Sequence, residues 1–147
     1  MKIFSTLLLA ITLGLTGCAR TVMDTPENDA LAKQFLLPSK DESGIYIYRD
    51  SIFGAALKKN LYIDGKLIGE SAPKTYFYKR VIPGNHRLST ESEFSDNHLD
   101  ITTDGGKNYF IRQYIKPGAF VGGANLKQVD EDKGKATILK LKRALAQ

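Results

Sequence analysis

The chain holds one cysteine, Cys18, so no disulfide can close within it and its stability must come from a packed core. It also lacks an apolar run long enough to cross a bilayer. Ile3 to Leu15 is almost wholly apolar and carries no acid, but it falls short of the roughly 20 residues that a spanning helix needs. There is no Gly-x-Ser-x-Gly elbow, no Walker loop and no dinucleotide fingerprint. No histidine, acid or cysteine pair has the short spacing that zinc sites favour. These absences remove the familiar signatures of hydrolases, nucleotide enzymes and metalloenzymes, so the chain reads as non-catalytic, with no cofactor and no metal.

The N-terminal segment reads as an address. Met1-Lys2 gives a positive start, the apolar run follows, and small residues close it, which describes a secretory signal over residues 1–17. The closing Leu15-Thr16-Gly17-Cys18 resembles the lipobox of bacterial lipoproteins. That resemblance implies cleavage between Gly17 and Cys18, a diacylglyceryl thioether on the Cys18 sulfur, and acylation of the new amino group. One acyl chain binds a membrane only marginally, so stable anchoring takes two or more. Ala19 and Arg20 follow the cysteine, without the aspartate that favours inner-membrane retention in similar lipoproteins. The expectation is a lipid-anchored protein of the bacterial envelope, at the outer membrane and on its periplasmic face.

Without residues 1–17 about 130 remain, enough for one domain. They carry 20 basic and 16 acidic side chains. In an exported protein this mild positive balance points to anionic lipid or polymer and not to nucleic acid.

Residues 18–43 read as a lipidated tether with a short helix. Thr25 suits the cap, Pro26 the first helical position, and Glu27 and Asp29 the first turn, with Leu31 and Phe35 sharing a face. A helix over 26–35 follows, stopped by Pro38. Residues 44–131 change period. Ile45-Tyr46-Ile47-Tyr48 is apolar on both faces and β-branched or aromatic, as a covered strand requires. Asp64-Gly65, set between Leu61-Tyr62-Ile63 and Lys66-Leu67-Ile68, is the preferred type I′ hairpin turn. Further strands are expected over 75–82, 85–90, 98–103, 107–115 and 126–129, with Phe94 plugging the loop between the second and third of these strands. In the last segment, residues 132–147, acids precede lysines while Ile138, Leu141 and Leu145 recur on one face, so a C-terminal helix is expected. Gly134 inside it costs about 1 kcal/mol of helix propensity.

Several runs together carry a family resemblance: Gly44-Ile45-Tyr46-Ile47-Tyr48-Arg49, then Asp64-Gly65-Lys66-Leu67-Ile68-Gly69, then Pro83-Gly84-Asn85-His86, then Gly106-Lys107-Asn108-Tyr109-Phe110. The chain resembles a family of small bacterial lipoproteins built on a domain of unknown function. The match covers residues 44–132 and implies an envelope location. A weaker resemblance is to PEGA domains, whose name motif is replaced here by Ser71-Ala72-Pro73. Together with the strand spacing it implies a mainly β fold, an antiparallel β-sandwich of PEGA-like or transthyretin-like type flanked by the two helices.

Three sets of residues are candidates for contact. The loop 117–125 is unusually apolar, so Phe120, Val121 and Asn125 are either tucked under a sheet edge or offered to a partner. Seven tyrosines, all in expected strands, either pack across the strands or present a stacking platform for glycan or peptidoglycan. His86 and His98 each precede an apolar residue in a strand, which places both on one outer face beside Glu91, Glu93 and Asp96. The expected function is a non-catalytic binding or accessory module, held to the membrane through acyl chains on Cys18 and contacting an envelope protein or peptidoglycan.

Overall fold

The computed structural model describes residues 21–147. The expected signal segment, the Gly17–Cys18 junction and the lipidation at Cys18 lie outside the described residues. Helix α1 (Pro26–Ala32) leads into β1 (Ser43–Arg49), β2 (Lys59–Ile63), β3 (Lys66–Ser71) and β4 (Thr75–Val81). Then come β5 (Gly84–Thr90), β6 (Asn97–Thr103), β7 (Asn108–Lys116), β8 (Gly123–Val129), α2 (Glu131–Ile138) and β9 (Lys142–Arg143). The fold is mainly β, in two sheets of order β8-β7-β1-β4-β9 and β3-β2-β5-β6.

Strand alternation builds two cores. The inward residues Ile45, Ile47, Phe77 and Ile111 of the larger sheet pack against Leu61, Ile63, Ile68, Leu88 and Ile101 of the smaller one. The opposite face of the larger sheet carries Tyr46, Tyr48, Tyr76 and Phe110, which meet Ala32, Ile138 and Leu141 from the two helical segments. Register explains this second core. Tyr46 lies opposite Tyr78 on β4 and beside Phe110 on β7. Its ring therefore stacks on both, with centroids 4.4 and 5.1 Å away. The Asp64-Gly65 turn has φ of 51° and 76°, as the type I′ hairpin demands.

Four expectations are corrected. First, β1 pairs β7 in parallel and β4 pairs β9 in parallel, so the sheets are not antiparallel throughout. The chain visits the smaller sheet between β1 and β4 and again between β4 and β7, which frees it to return in either direction. Second, α1 ends at Ala32, with Leu31 facing solvent. Phe35 turns into the left-handed region at φ 51° and packs on Tyr46 and Phe110, while the Ala32 carbonyl accepts both the Phe35 N–H at 3.1 Å and the Tyr46 hydroxyl at 2.8 Å.

Third, the C-terminal helix spans only Glu131–Ile138, not residues 132–147. The tail instead covers the open edge of β4: Lys142 N–H donates to the Lys74 carbonyl and Ala144 N–H to that of Tyr76. Fourth, Phe94 plugs nothing and is 81% exposed. Among the described residues no helix is long and apolar enough to cross a membrane.

Asp29 ties the N-terminal segment to this edge. Its carboxylate accepts from the Tyr76 hydroxyl at 2.8 Å, Lys33 Nζ at 2.7 Å and Arg143 N–H at 3.0 Å. Burial pushes its pKa up, but the bonds from Lys33 and Tyr76 outweigh that and hold it below the ordinary carboxylate value of 3.8. A lowered folded-state pKa stabilises fully above the unfolded value, and the stabilisation is lost as pH falls through the folded one. The melting temperature is thus expected to be level above about pH 5 and to drop below pH 3.8. Asp29→Asn should lower it at neutral pH and flatten that acid limb. Parallel curves for the two proteins would contradict the assignment.

Candidate functional site

The apolar loop emerges at the end of the sheets where β1 and β7, being parallel, both finish. Three loops meet there: residues 50–58 after β1, 91–96 after β5 and 117–122 after β7. Each is held by a side chain that clasps its backbone. Arg49, 1% exposed, points from the last position of β1 under its own loop. Its Nη1 donates to the Leu57 carbonyl at 2.6 Å and its Nη2 to the Gly54 carbonyl at 2.7 Å. Burial pulls the guanidinium pKa below its usual value.

Glu93 does the same across two loops. Its carboxylate accepts the backbone N–H groups of Ala119, Phe120 and Val121. Desolvation raises the Glu93 pKa, yet the three amide bonds prevail and leave it lowered. Leu57 closes the remaining gap, since a Cβ on Gly122 would come 2.7 Å from its Cδ1. The backbone is thereby braced from within, and the large side chains point out. Ile52, Phe53, Phe94, Phe120 and Val121 are all more than half exposed, Phe120 at 85%.

Of the two readings left open for residues 117–125, Phe120 and Val121 are offered to solvent. Asn125 is not with them. It sits within β8 opposite Tyr114, on a strand that begins at Gly123, earlier than expected. The tyrosines are also corrected as an exposed platform. Tyr46, Tyr48 and Tyr76 are at most 1% exposed under the helical segments, and none of the seven falls among the exposed residues.

The histidines do not share a face. His86 points inward at 6% exposure, while His98 faces out and bonds to Ser89. His86 pairs with Ile101 and His98 with Ser89 in the same ladder, one inward pair and one outward pair. Both ring nitrogens of His86 are engaged, Nδ1 with Asp64 Oδ2 and Nε2 with the Ile82 carbonyl, each at 2.7 Å. A carbonyl can only accept, so Nε2 carries a proton. Burial raises the Asp64 pKa, but the bonds from His86 and the Arg87 N–H, with the nearby positive charge, together outweigh it and hold the group below its ordinary value. The pair therefore latches the β2–β3 turn onto β5, with both ring nitrogens of His86 engaged. Among the described residues no group of three or more His, Cys, Asp or Glu side chains could hold a metal ion.

A family model described as a protein of unknown function (DUF2846) matches residues 39–124, more than half of the chain. The chain belongs to the DUF2846 family. An uncharacterised protein of Haemophilus influenzae is 56% identical over 139 residues, 95% of this chain and 83% of that protein. No solved structure matches. The DUF2846 region holds β1 to β7 and the three braced loops, whereas α1, α2 and β9 lie outside it.

Sequence reasoning named Glu93, His86 and Asp64 but did not foresee the bracing by Arg49 and Glu93 or the Asp64–His86 latch. Only Asp64 left a signal, because a residue at positive φ in a two-residue turn is free to aim its carboxylate at the neighbouring strand.

Proposed function

We propose that this DUF2846 protein is a lipid-anchored module of the bacterial envelope that works by contact and not by catalysis. In this reading residues 1–17 are a signal peptide. Cys18 carries the acyl chains, and the anchor sits in the outer membrane with the domain in the periplasm. The two sheets make a small sandwich of PEGA-like or transthyretin-like kind. The braced apolar tip is the contact surface, and an envelope protein, peptidoglycan or the membrane itself is what it meets. The observation that carries the reading is the exposure of five large apolar side chains on three loops whose backbones are fixed by buried or clasping partners. Exposed apolar clusters of this kind mark interaction surfaces on soluble domains. Leu15-Thr16-Gly17-Cys18 supports the anchor.

Fractionation of cells tests the anchor. The unsubstituted protein is expected in the membrane fraction and Cys18→Ala in the soluble one, because single-chain or chain-free binding is weak and reversible. Membrane retention of Cys18→Ala in full would remove the lipid anchor from this reading.

A further inference from the structure

We propose that the apolar tip is a second membrane contact, which seats the domain directly on the surface of an anionic bilayer. The proposal rests on the anchored reading above for its geometry and identifies what the tip meets.

Two independent features converge at this end of the molecule, and a third keeps the domain close to lipid. The first is the tip itself. Phe94 and Phe120, the two most exposed of the large apolar side chains, stand on neighbouring loops that Glu93 joins. Such a projection suits shallow insertion at the headgroup boundary, where aromatic and aliphatic side chains leave water without needing a shaped pocket.

The second is charge. Beside the tip a recess of about 400 Å³ is lined by Lys74, Lys133 and Lys140, along with Asp50 at the start of the β1–β2 loop. Asp50 is neutralised by Arg112 at 2.8 Å. None of the three lysines forms an ion pair among the described residues, so their charge is available to a negative surface. Helix α2 carries Lys133 and directs the chain to Lys140, while the β3–β4 turn supplies Lys74, so the basic recess is built by the fold and is not one flexible run.

The third is the tether. Thr21, where the described chain begins, lines a recess with Lys58 and Asn60, the residues that lead out of the tip loop into β2. Cys18 is three residues earlier, a reach of roughly 10 Å at 3.3–3.6 Å per residue. Acyl chains on Cys18 therefore keep the bilayer within reach of the domain, whose projecting apolar end is the tip. A long spacer would let the tip search for a distant partner. A three-residue spacer holds it at the lipid.

The test uses the chain from residue 18 onward with Cys18→Ser, which contains the whole described fold and no acyl chain. It is mixed with vesicles of phosphatidylethanolamine and phosphatidylglycerol, and separately with phosphatidylcholine vesicles, and bound protein is recovered by flotation. Binding is expected to the anionic vesicles and to weaken with added salt. Phe94→Ser and Phe120→Ser should each lower it about tenfold, the equivalent of one buried apolar side chain. Lys74→Gln and Lys140→Gln should each lower it about fivefold. All four side chains are exposed, so melting temperatures should stay within the range of ordinary surface substitutions.

Failure of the unsubstituted protein to float overturns the proposal, as does binding that the phenylalanine variants leave unchanged. A concentration-dependent dimer that Phe120→Ser abolishes, without vesicle binding, overturns it in favour of self-association. Because no acyl chain is present, none of these outcomes bears on the anchor, which the Cys18→Ala fractionation reads separately.

Discussion

Arg49→Met is expected to lower stability by about 3 kcal/mol, seen as a drop of roughly 6–12 °C in melting temperature for a chain of this size. Two terms compete. Removing a buried guanidinium relieves its desolvation, and a methionine of similar length keeps much of the apolar volume. Against that, the Leu57 carbonyl loses its donor at 2.6 Å, and an acceptor left unpaired costs about 1–3 kcal/mol, while the Gly54 carbonyl loses the stronger of its anchors to the sheet and keeps only the Leu57 N–H at 2.8 Å. The second term prevails because no water-filled route is needed to the folded arginine, whose stem already packs at 1% exposure. Arg49→Lys should recover little. The two carbonyls are reached by separate nitrogens of one planar fork, and an ammonium has a single nitrogen to place. A methionine variant as stable as the parent would show that the loop is held by Leu57 and Glu93 alone. The same variant should loosen the tip, so its vesicle binding should fall further than its exposed surface would suggest.

Arg49 also shows where the sequence stops being legible. The hairpin at Asp64-Gly65 and the strand limits around it are written locally, in turn chemistry and in period-two alternation, and the structure has them there. The two cores were half legible. Alternation separates Phe77 from Tyr76 and Tyr78, but only the arrival of α1 and the C-terminal segment decides that the tyrosine face is covered. That decision depends on contacts across more than a hundred residues, such as Asp29 with Arg143. Period and propensity carry no term for them.

The contact loop was legible as a composition, seven apolar or glycine residues in a row after Pro117. Whether it is tucked or offered turned on Glu93, a residue in a polar stretch with no local mark to distinguish it from Glu91. Glu91 spends its carboxylate on Asn60 instead. The C-terminal helix failed for a related reason. The leucine spacing is helical, but an open strand edge at β4 offers Lys142 and Ala144 better partners than another helical turn would.

Gly134→Ala sets local propensity against packing, with opposite signs. In an exposed helix the change would stabilise by about 1 kcal/mol. Here a Cβ would lie 2.5 Å from Phe110 Cβ, closer than carbon atoms approach without displacement. The ring cannot retreat, because Phe110 is 1% exposed, stacked on Tyr46 and edged by Phe35. The helix would have to lift instead, thinning the contacts of Ile138 and Leu141 with the same cluster. Overpacking of this kind costs about 1–3 kcal/mol, and the upper half of that range is expected at a site with no free side. The net loss is then about 2 kcal/mol, or roughly 4–8 °C. Phe110→Leu provides the decisive control. In that background Cβ and Cγ remain near the methyl but are no longer pinned by a stacked ring and can give way, so Gly134→Ala should cost clearly less than in the parent. A double-mutant cycle by denaturant titration measures the coupling. Strong coupling means that glycine occupies this helix because β7 places an aromatic ring against its backbone. Additive losses would mean that the helix tolerates the methyl, and that the cost of Gly134 is paid for some other reason.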